Sequence, residues 1–212
     1  MKFVDRYYAN AEKAVAYQPN FHYMAFGYDN ENTPNYFAPC CEKGENEYRQ
    51  IRDYEMPRSR FKKEYAQLDL YQFAVNESLR DELIAFQADP DIFRPVWTRA
   101  KDTPVCYQIV PKHIMLPTFQ VNGYKKVLRC PHCGLCTYDV PEEVSRRKPQ
   151  YYFVTCEALD DMQDFNYSYE IFGSGNLGHE LVINKRIYEF LSDRYPRMQF
   201  IPLFLPEETA LR

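Results

Sequence analysis

The run Arg129-Cys130-Pro131-His132-Cys133-Gly134-Leu135-Cys136 places three of the chain's seven cysteines, and one of its four histidines, within seven positions. A Cys-x-x-Cys turn holds two thiols close enough to ligate one tetrahedral ion, and glycine after the second lets the backbone reverse tightly. That is the signature of a zinc knuckle. Cys136 extends the run to Cys-x-x-Cys-x-x-Cys, so a third ligand is available locally. A redox pair is the competing reading, but it requires a helix start after a strand, where the helix dipole lowers a thiol pKa. Gly134 and a third cysteine fit poorly with a helix there. Unreactive free thiols are the remaining alternative.

A second pair stands upstream in Pro39-Cys40-Cys41-Glu42-Lys43-Gly44, also followed by glycine but without knuckle spacing. Each cysteine-glycine element precedes a similar stretch. Setting Asn184 on Asn76, 108 positions apart, aligns Ile183 with Val75, Ile187 with Leu79 and Leu191 with Leu83. With one residue dropped, Phe200-x-Pro202 meets Phe93-x-Pro95. Each copy reads as a strand, an asparagine whose side chain caps the free N–H groups of a first helical turn, a helix, and a Phe-x-Pro strand. Agreement of cap, apolar face and Phe-x-Pro predicts an internal duplication, against chance recurrence of a common arrangement. The expected zinc ligands are Cys130, Cys133, Cys40 and Cys41. Cys136 and His132 are the alternatives, with Cys106 and Cys156 as more distant candidates.

Around these units the pattern predicts a helix within residues 1–20 carrying Ala11, Ala14, Val15 and Ala16, and a strand over Phe21 to Phe26. Residues 42–66 are charged without a clean period and read as irregular. Strands are expected at Val105–Val110, Ile114–Val121, Tyr124–Arg129 and Tyr151–Thr155, and a short helix at Pro141–Arg147. Asn122-Gly123 between apolar residues predicts a type I′ hairpin, because both central residues of that turn need positive φ. The fold class is therefore α+β, with mixed sheets, few helices, two pseudo-repeated strand–helix–strand lobes (1–100 and 101–212) in a single domain, and a zinc-ribbon-like knuckle.

Composition narrows the function. The net charge of −4 argues against nonspecific nucleic-acid binding, which rests on clustered Lys and Arg neutralising phosphates. It suits a basic partner. Nineteen tyrosines in 212 residues suit either sticky interaction surfaces or an aromatic-filled core. No apolar run approaches the ~20 residues of a membrane span, and Met1 to Arg6 lacks a signal-peptide core. The expected compartment is the cytoplasm, where thiols stay reduced.

Two motifs invite catalytic readings. Gly173-Ser174-Gly175-Asn176-Leu177-Gly178 matches the dinucleotide fingerprint by letter, yet His179-Glu180-Leu181-Val182-Ile183 follows like a strand rather than a phosphate-binding helix. A loop is expected. His179-Glu180 resembles a base with its orienting acid, but no nucleophile elbow or His-Glu-x-x-His run accompanies it, so no enzyme is expected. The acidic stretch Glu157 to Asp164 leads into Tyr167 and Tyr169. Clustered negative charge beside aromatic anchors suits capture of a basic protein surface, with Asp160, Asp161, Asp164 and Tyr167 as the partner-binding candidates. A solvated loop before a strand is the plainer alternative.

With Cys130-Pro131-His132-Cys133-Gly134 and the C-terminal run Glu180 to Arg186 through Phe200-Ile201-Pro202, the chain resembles the bacterial double-CXXCG proteins. Related immunity proteins are encoded beside polymorphic or type VI secreted toxins. The resemblance covers about the last 85 residues directly and the first half only through the repeat. Cys40-Cys41-Glu42-Lys43-Gly44 departs from Cys-x-x-Cys-Gly, which puts paired metal sites in doubt. The resemblance implies a soluble cytoplasmic immunity protein that binds one cognate toxin, blocks its active site or substrate entry, and carries a structural zinc ion. It implies no membrane partner, no small-molecule substrate and no nucleic acid. A zinc-ribbon nucleic-acid module, using Lys125, Lys126, Arg129, Arg146, Arg147 and Lys148, is the alternative.

Overall fold

The computed structural model describes residues 3–8, 10–20, 36–44, 47–69, 72–142, 152–173 and 177–206. The α-helices lying wholly within these residues are α1 (Phe3–Tyr7), α2 (Glu77–Ala85), α3 (Phe119–Asn122), α4 (Cys156–Asp160) and α5 (Lys185–Arg194). The first seven strands are β1 (Ala16–Pro19), β2 (Phe37–Pro39), β3 (Glu47–Gln50), β4 (Tyr65–Asp69), β5 (Gln72–Val75), β6 (Phe93–Trp97) and β7 (Pro104–Ile109). The others are β8 (His113–Ile114), β9 (Lys125–Arg129), β10 (Cys136–Asp139), β11 (Tyr152–Phe153), β12 (Phe165–Phe172), β13 (Gly178–Asn184) and β14 (Phe200–Phe204). The fold is α+β, and no helix among the described residues is long and apolar enough to cross a membrane.

Both predicted caps form, and they form alike. Asn76 (φ −72°, ψ 173°) accepts from the Leu79 N–H at 2.8 Å and opens α2. Asn184 (φ −76°, ψ 173°) accepts from the Ile187 N–H at 3.0 Å and opens α5. Each satisfies one of the first-turn donors that a helix leaves unpaired. Leu79 and Leu83 on α2, and Ile187 and Leu191 on α5, are buried in one shared core. The helices meet there: the Phe86 and Phe190 rings stack at 4.4 Å, the Arg186 guanidinium donates to the Phe86 carbonyl at 2.8 Å, and Arg194 pairs with Glu82 at 3.0 Å.

The two larger sheets repeat the same order. One runs β4-β5-β7-β6, and the larger, read from its β12 side, contains β12-β13-β1-β14. In the first, Tyr107 at the centre of β7 lies opposite Val75 and Pro95. In the second, Tyr17 of β1 lies opposite Ile183 and Pro202. The residue before each cap and the proline of each Phe-x-Pro thus flank an equivalent tyrosine. Each central strand comes from the other half of the chain: β1 serves the C-terminal unit and β7 the N-terminal one. The halves are pseudo-repeated and exchange their first strands. Two short parallel strands, β11 beside β14 and β8 beside β12, complete a mixed six-stranded sheet.

Both sheets are buried on two faces. Phe73, Val75, Phe93 and Ile109 face the shared core with Tyr17, Leu181, Ile183 and Phe200. Alternate residues such as Ala74, Val96 and Cys106 face a second cluster with Tyr54 and Met56, while Ala16, Val182 and Leu203 face a third with Met115 and Val154. This alternation is the strand period of two. Much of the tyrosine content is therefore core, with Tyr17 stacked on Tyr188 at 3.6 Å.

Several local expectations are corrected. Asn122 closes α3, and Gly123 (φ 67°) is its left-handed cap, so Asn122-Gly123 ends a helix instead of turning a hairpin. One positive φ suffices for a helix cap, whereas a type I′ turn needs two. The Asn122 amide is used elsewhere: it donates to the Phe153 carbonyl and accepts from the Phe153 N–H, each at 2.8 Å, like one more strand residue beside β11. Of the strand expected over Ile114–Val121, only Ile114 lies in a strand, the two-residue β8. The alanines near residue 14 lie in a 3-10 turn (Ala11–Lys13) and in β1, because Ala16 and Tyr17 complete the larger sheet. Residues 42–66 hold β3 and the start of β4, and the acidic stretch forms α4, capped by Thr155. The strand expected at Phe21 to Phe26 lies outside the described residues, as does nearly all of the expected helix at Pro141–Arg147.

Candidate metal centre and the adjoining cleft

Each cysteine-glycine element occupies the turn of its own two-stranded hairpin. Cys40 and Cys41 follow β2, whose partner is β3, and Cys130 and Cys133 follow β9, whose partner is β10. The two turns meet tip to tip. The sulfurs of Cys40, Cys41, Cys130 and Cys133 all lie within 4.8 Å of one another. Cys41 and Cys130 are 3.8 Å apart, and Cys133 and Cys40 are 3.7 Å apart. A tetrahedron with metal–sulfur bonds of about 2.3 Å has edges of about 3.8 Å, so the donor set fits one tetrahedral ion. All seven cysteines are free thiols.

The offset between halves is constant here: Tyr17 and Tyr107, Cys40 and Cys130, and Gly44 and Gly134 are each 90 positions apart. Only the second cysteine shifts, standing one position after Cys40 but three after Cys130. The shorter spacing still delivers a sulfur because Cys41 begins a turn closed by the Gly44 N–H on the Cys41 carbonyl at 3.0 Å. In the other turn, the Gly134 N–H donates to the Cys130 carbonyl at 3.0 Å and the Cys130 N–H to the Leu135 carbonyl at 2.8 Å.

The glycines are required for different reasons. Gly134 has φ +77°, which side chains disfavour. At Gly44 the obstacle is space, since a Cβ would stand 2.5 Å from the Cys40 sulfur and 3.3 Å from that of Cys41.

Crowding spreads the thiol acidities. Backbone N–H groups of Cys133 and His132 pull Cys130 down to about 6, while burial, then the neighbouring Cys130 and Cys133, push Cys40 up to about 12. Burial likewise raises Cys41. One thiolate forms readily, and its charge opposes the next. A multivalent cation at the centre would let all four ionise together.

The alternative ligands fall outside this group. His132 is exposed, and Cys136 lies at the start of β10 with its thiol 3.4 Å from the Gly134 carbonyl. Cys106 is buried in β7 and Cys156 is exposed at the start of α4. Asp164, expected at a partner surface, is tied inside the fold. Its carboxylate accepts from the Asn184 amide at 2.8 Å and from both the Nε and Nη2 of Arg186, bracing the second cap. Asp161 approaches His113 at 3.2 Å and, like Asp160, is exposed. Tyr167 is half-buried, and Tyr169 is the exposed tyrosine of that strand.

Cys40 and Cys41 also border a cleft of about 880 Å³ between the β2–β3 hairpin and the ends of β12 and β13. His179 sits in it with Tyr167 and Tyr48. Its Nδ1 lies 2.6 Å from the Ser168 carbonyl, which can only accept, so Nδ1 carries the proton. Nε2 then accepts from the Tyr48 hydroxyl at 2.7 Å. Burial lowers the imidazole pKa and keeps it neutral. Nε2 thereby ties β3 to the larger sheet, while Nδ1 ties β13 to its neighbour β12. Glu180 does not orient this ring, because adjacent strand residues point to opposite faces. The glycine run before it joins the antiparallel pair β12 and β13, where Phe172 lies opposite Gly178, and a strand follows where the dinucleotide motif needs a helix.

Comparison of the chain with protein-family models, with curated proteins and with solved structures returned no match.

Proposed function

We propose that this chain is a cytoplasmic immunity protein of the double-CXXCG kind, which binds a cognate secreted toxin and covers its active site or substrate entrance without turning anything over. A structural zinc ion held by Cys40, Cys41, Cys130 and Cys133 joins its two hairpins. The observation that carries this reading is the four-sulfur donor set. Four protein ligands complete a tetrahedral sphere and leave no open position for substrate, which is the pattern of structural rather than catalytic zinc. Thiolates favour zinc or iron–sulfur chemistry over harder ions, and a single centre at these spacings suits zinc. Asp160 and Asp161, both exposed on or beside α4, and Tyr169, 44% exposed on β12, are the residues offered to a basic toxin surface.

The test is co-expression with the toxin-like product of the adjacent gene. Restored growth, with a stable complex weakened by alanine at Asp160 and Asp161, supports the reading. Unrelieved toxicity, or the absence of such a neighbour, contradicts it.

A second reading rests on β9, exposed at every residue and carrying Lys125, Lys126 and Arg129 beside the knuckle. It makes the β9–β10 hairpin a zinc ribbon for nucleic acid. Binding that falls steeply with salt would favour that reading over the first.

A further inference from the structure

Alternation along β13 turns Glu180 away from His179 and into a second cleft, of about 560 Å³, on the other face of the six-stranded sheet. The β9–β10 hairpin overhangs it. Tyr124, Tyr152 and Phe172 form an aromatic wall: the Tyr124 ring lies 6.4 Å from that of Tyr152, and 5.3 Å from Phe172 at right angles to it. Val127 and Leu128 border the mouth, respectively 47% and 45% exposed. Among the described residues, the Glu180 carboxyl makes no hydrogen bond or ion pair. Among the described residues, no lysine or arginine lines this cleft. Lys126 lies over the Phe119 ring at 5.4 Å, and Lys125 is the cross-strand partner of Asp139, which adds a second carboxylate to the lining.

An anion is repelled from such a lining, and a purely apolar guest would seal a carboxyl without a partner. A cation meets an unpaired carboxylate and the negative faces of aromatic rings together. We propose that this cleft binds an organic cation, a guanidinium or alkylammonium on an apolar stem, with its charge against Glu180 and its stem between the aromatic wall and Val127 and Leu128. The site is independent of the toxin reading and of the metal centre. Burial pushes Glu180 up to about 7, so a bound cation draws off its proton near neutrality. Among the described residues, the other titratable groups lining the cleft are Tyr124, Tyr152 and Asp139; burial raises both phenols well above neutrality, and they stay uncharged.

The test is an amide-resolved NMR titration of the full chain with n-butylguanidinium and its neutral analogue n-butylurea. The cation is expected to give saturable shifts at Gln18, Tyr124, Val127 and Glu180, and the urea none. Glu180→Gln, which keeps the shape, should weaken the cation at least tenfold. For the unaltered chain, affinity should fall about tenfold from pH 8 to pH 6 as the carboxyl protonates, a readout that needs no variant. Equal response to both probes, no saturable response, or undiminished binding in Glu180→Gln overturns the proposal. Tighter binding of N-acetyl-arginine methylamide than of n-butylguanidinium supports a peptide-borne cation. The reverse supports a small free cation as occupant of the same site.

Discussion

Replacing Glu180 with glutamine should make the protein more stable at pH 8 and leave it nearly unchanged at pH 4.5. Burial raises this carboxyl from 4.5 to about 7. Between those values the folded chain holds a proton that the unfolded chain has released, so Glu180's contribution to stability declines as pH rises through that window. At about 1.4 kcal/mol per tenfold change in proton affinity, the full decline is roughly 3 kcal/mol. Glutamine cannot ionise and keeps nearly the same volume, so it avoids that decline. Other titrating groups contribute equally to both proteins and cancel in the difference. Urea unfolding followed by circular dichroism at half-unit steps from pH 4.5 to 8 reads the difference directly. The variant should gain progressively and level off above pH 7.5, with an unchanged urea slope. At this chain length the gain corresponds to a rise in Tm of about 6–12 °C. A difference that does not vary with pH, or a variant weaker at pH 8, would refute the burial argument.

Gly44→Ala should lower metal affinity sharply, because its Cβ enters the space of the Cys40 sulfur; competition with a chromogenic chelator measures it. Gly134→Ala should cost about 1–2 kcal/mol through its left-handed backbone and disturb the metal less. Asn76→Ala and Asn184→Ala should each cost about 1 kcal/mol in denaturant titrations. Asn184 should be the more costly, since its amide also donates to Asp164. Cys133→Ser should release metal while Cys136→Ser retains it, as read by mass spectrometry under native conditions. Equal metal loss in both would place Cys136 among the ligands.

What could be read from the sequence depended on the range of the interaction. The caps at Asn76 and Asn184 are local, set by an asparagine three residues before a buried aliphatic, and both formed. The approach of the two cysteine pairs could be expected because each ends in glycine and heads a repeat unit, even though Cys40 and Cys41 lack knuckle spacing. The exchange of β1 and β7 was not visible, because a strand's partner is chosen by packing across the whole chain. That choice also made Ala14 to Ala16 part of an extended segment despite their helix propensity. Asn122-Gly123 misled because a single left-handed glycine serves a helix end as well as a turn. The Glu180 cleft is a tertiary feature, and its one local signal is an acid standing directly before the apolar run Leu181-Val182-Ile183.

The central claim is that four cysteines from two hairpins close on one zinc ion. Elemental analysis of the native protein, purified without chelators and paired with a thiol count before and after metal release, tests it most directly. The expected result is one zinc per chain, with four thiols that react only once the metal is released. A metal-free chain in which Cys40, Cys41, Cys130 and Cys133 react freely would contradict it.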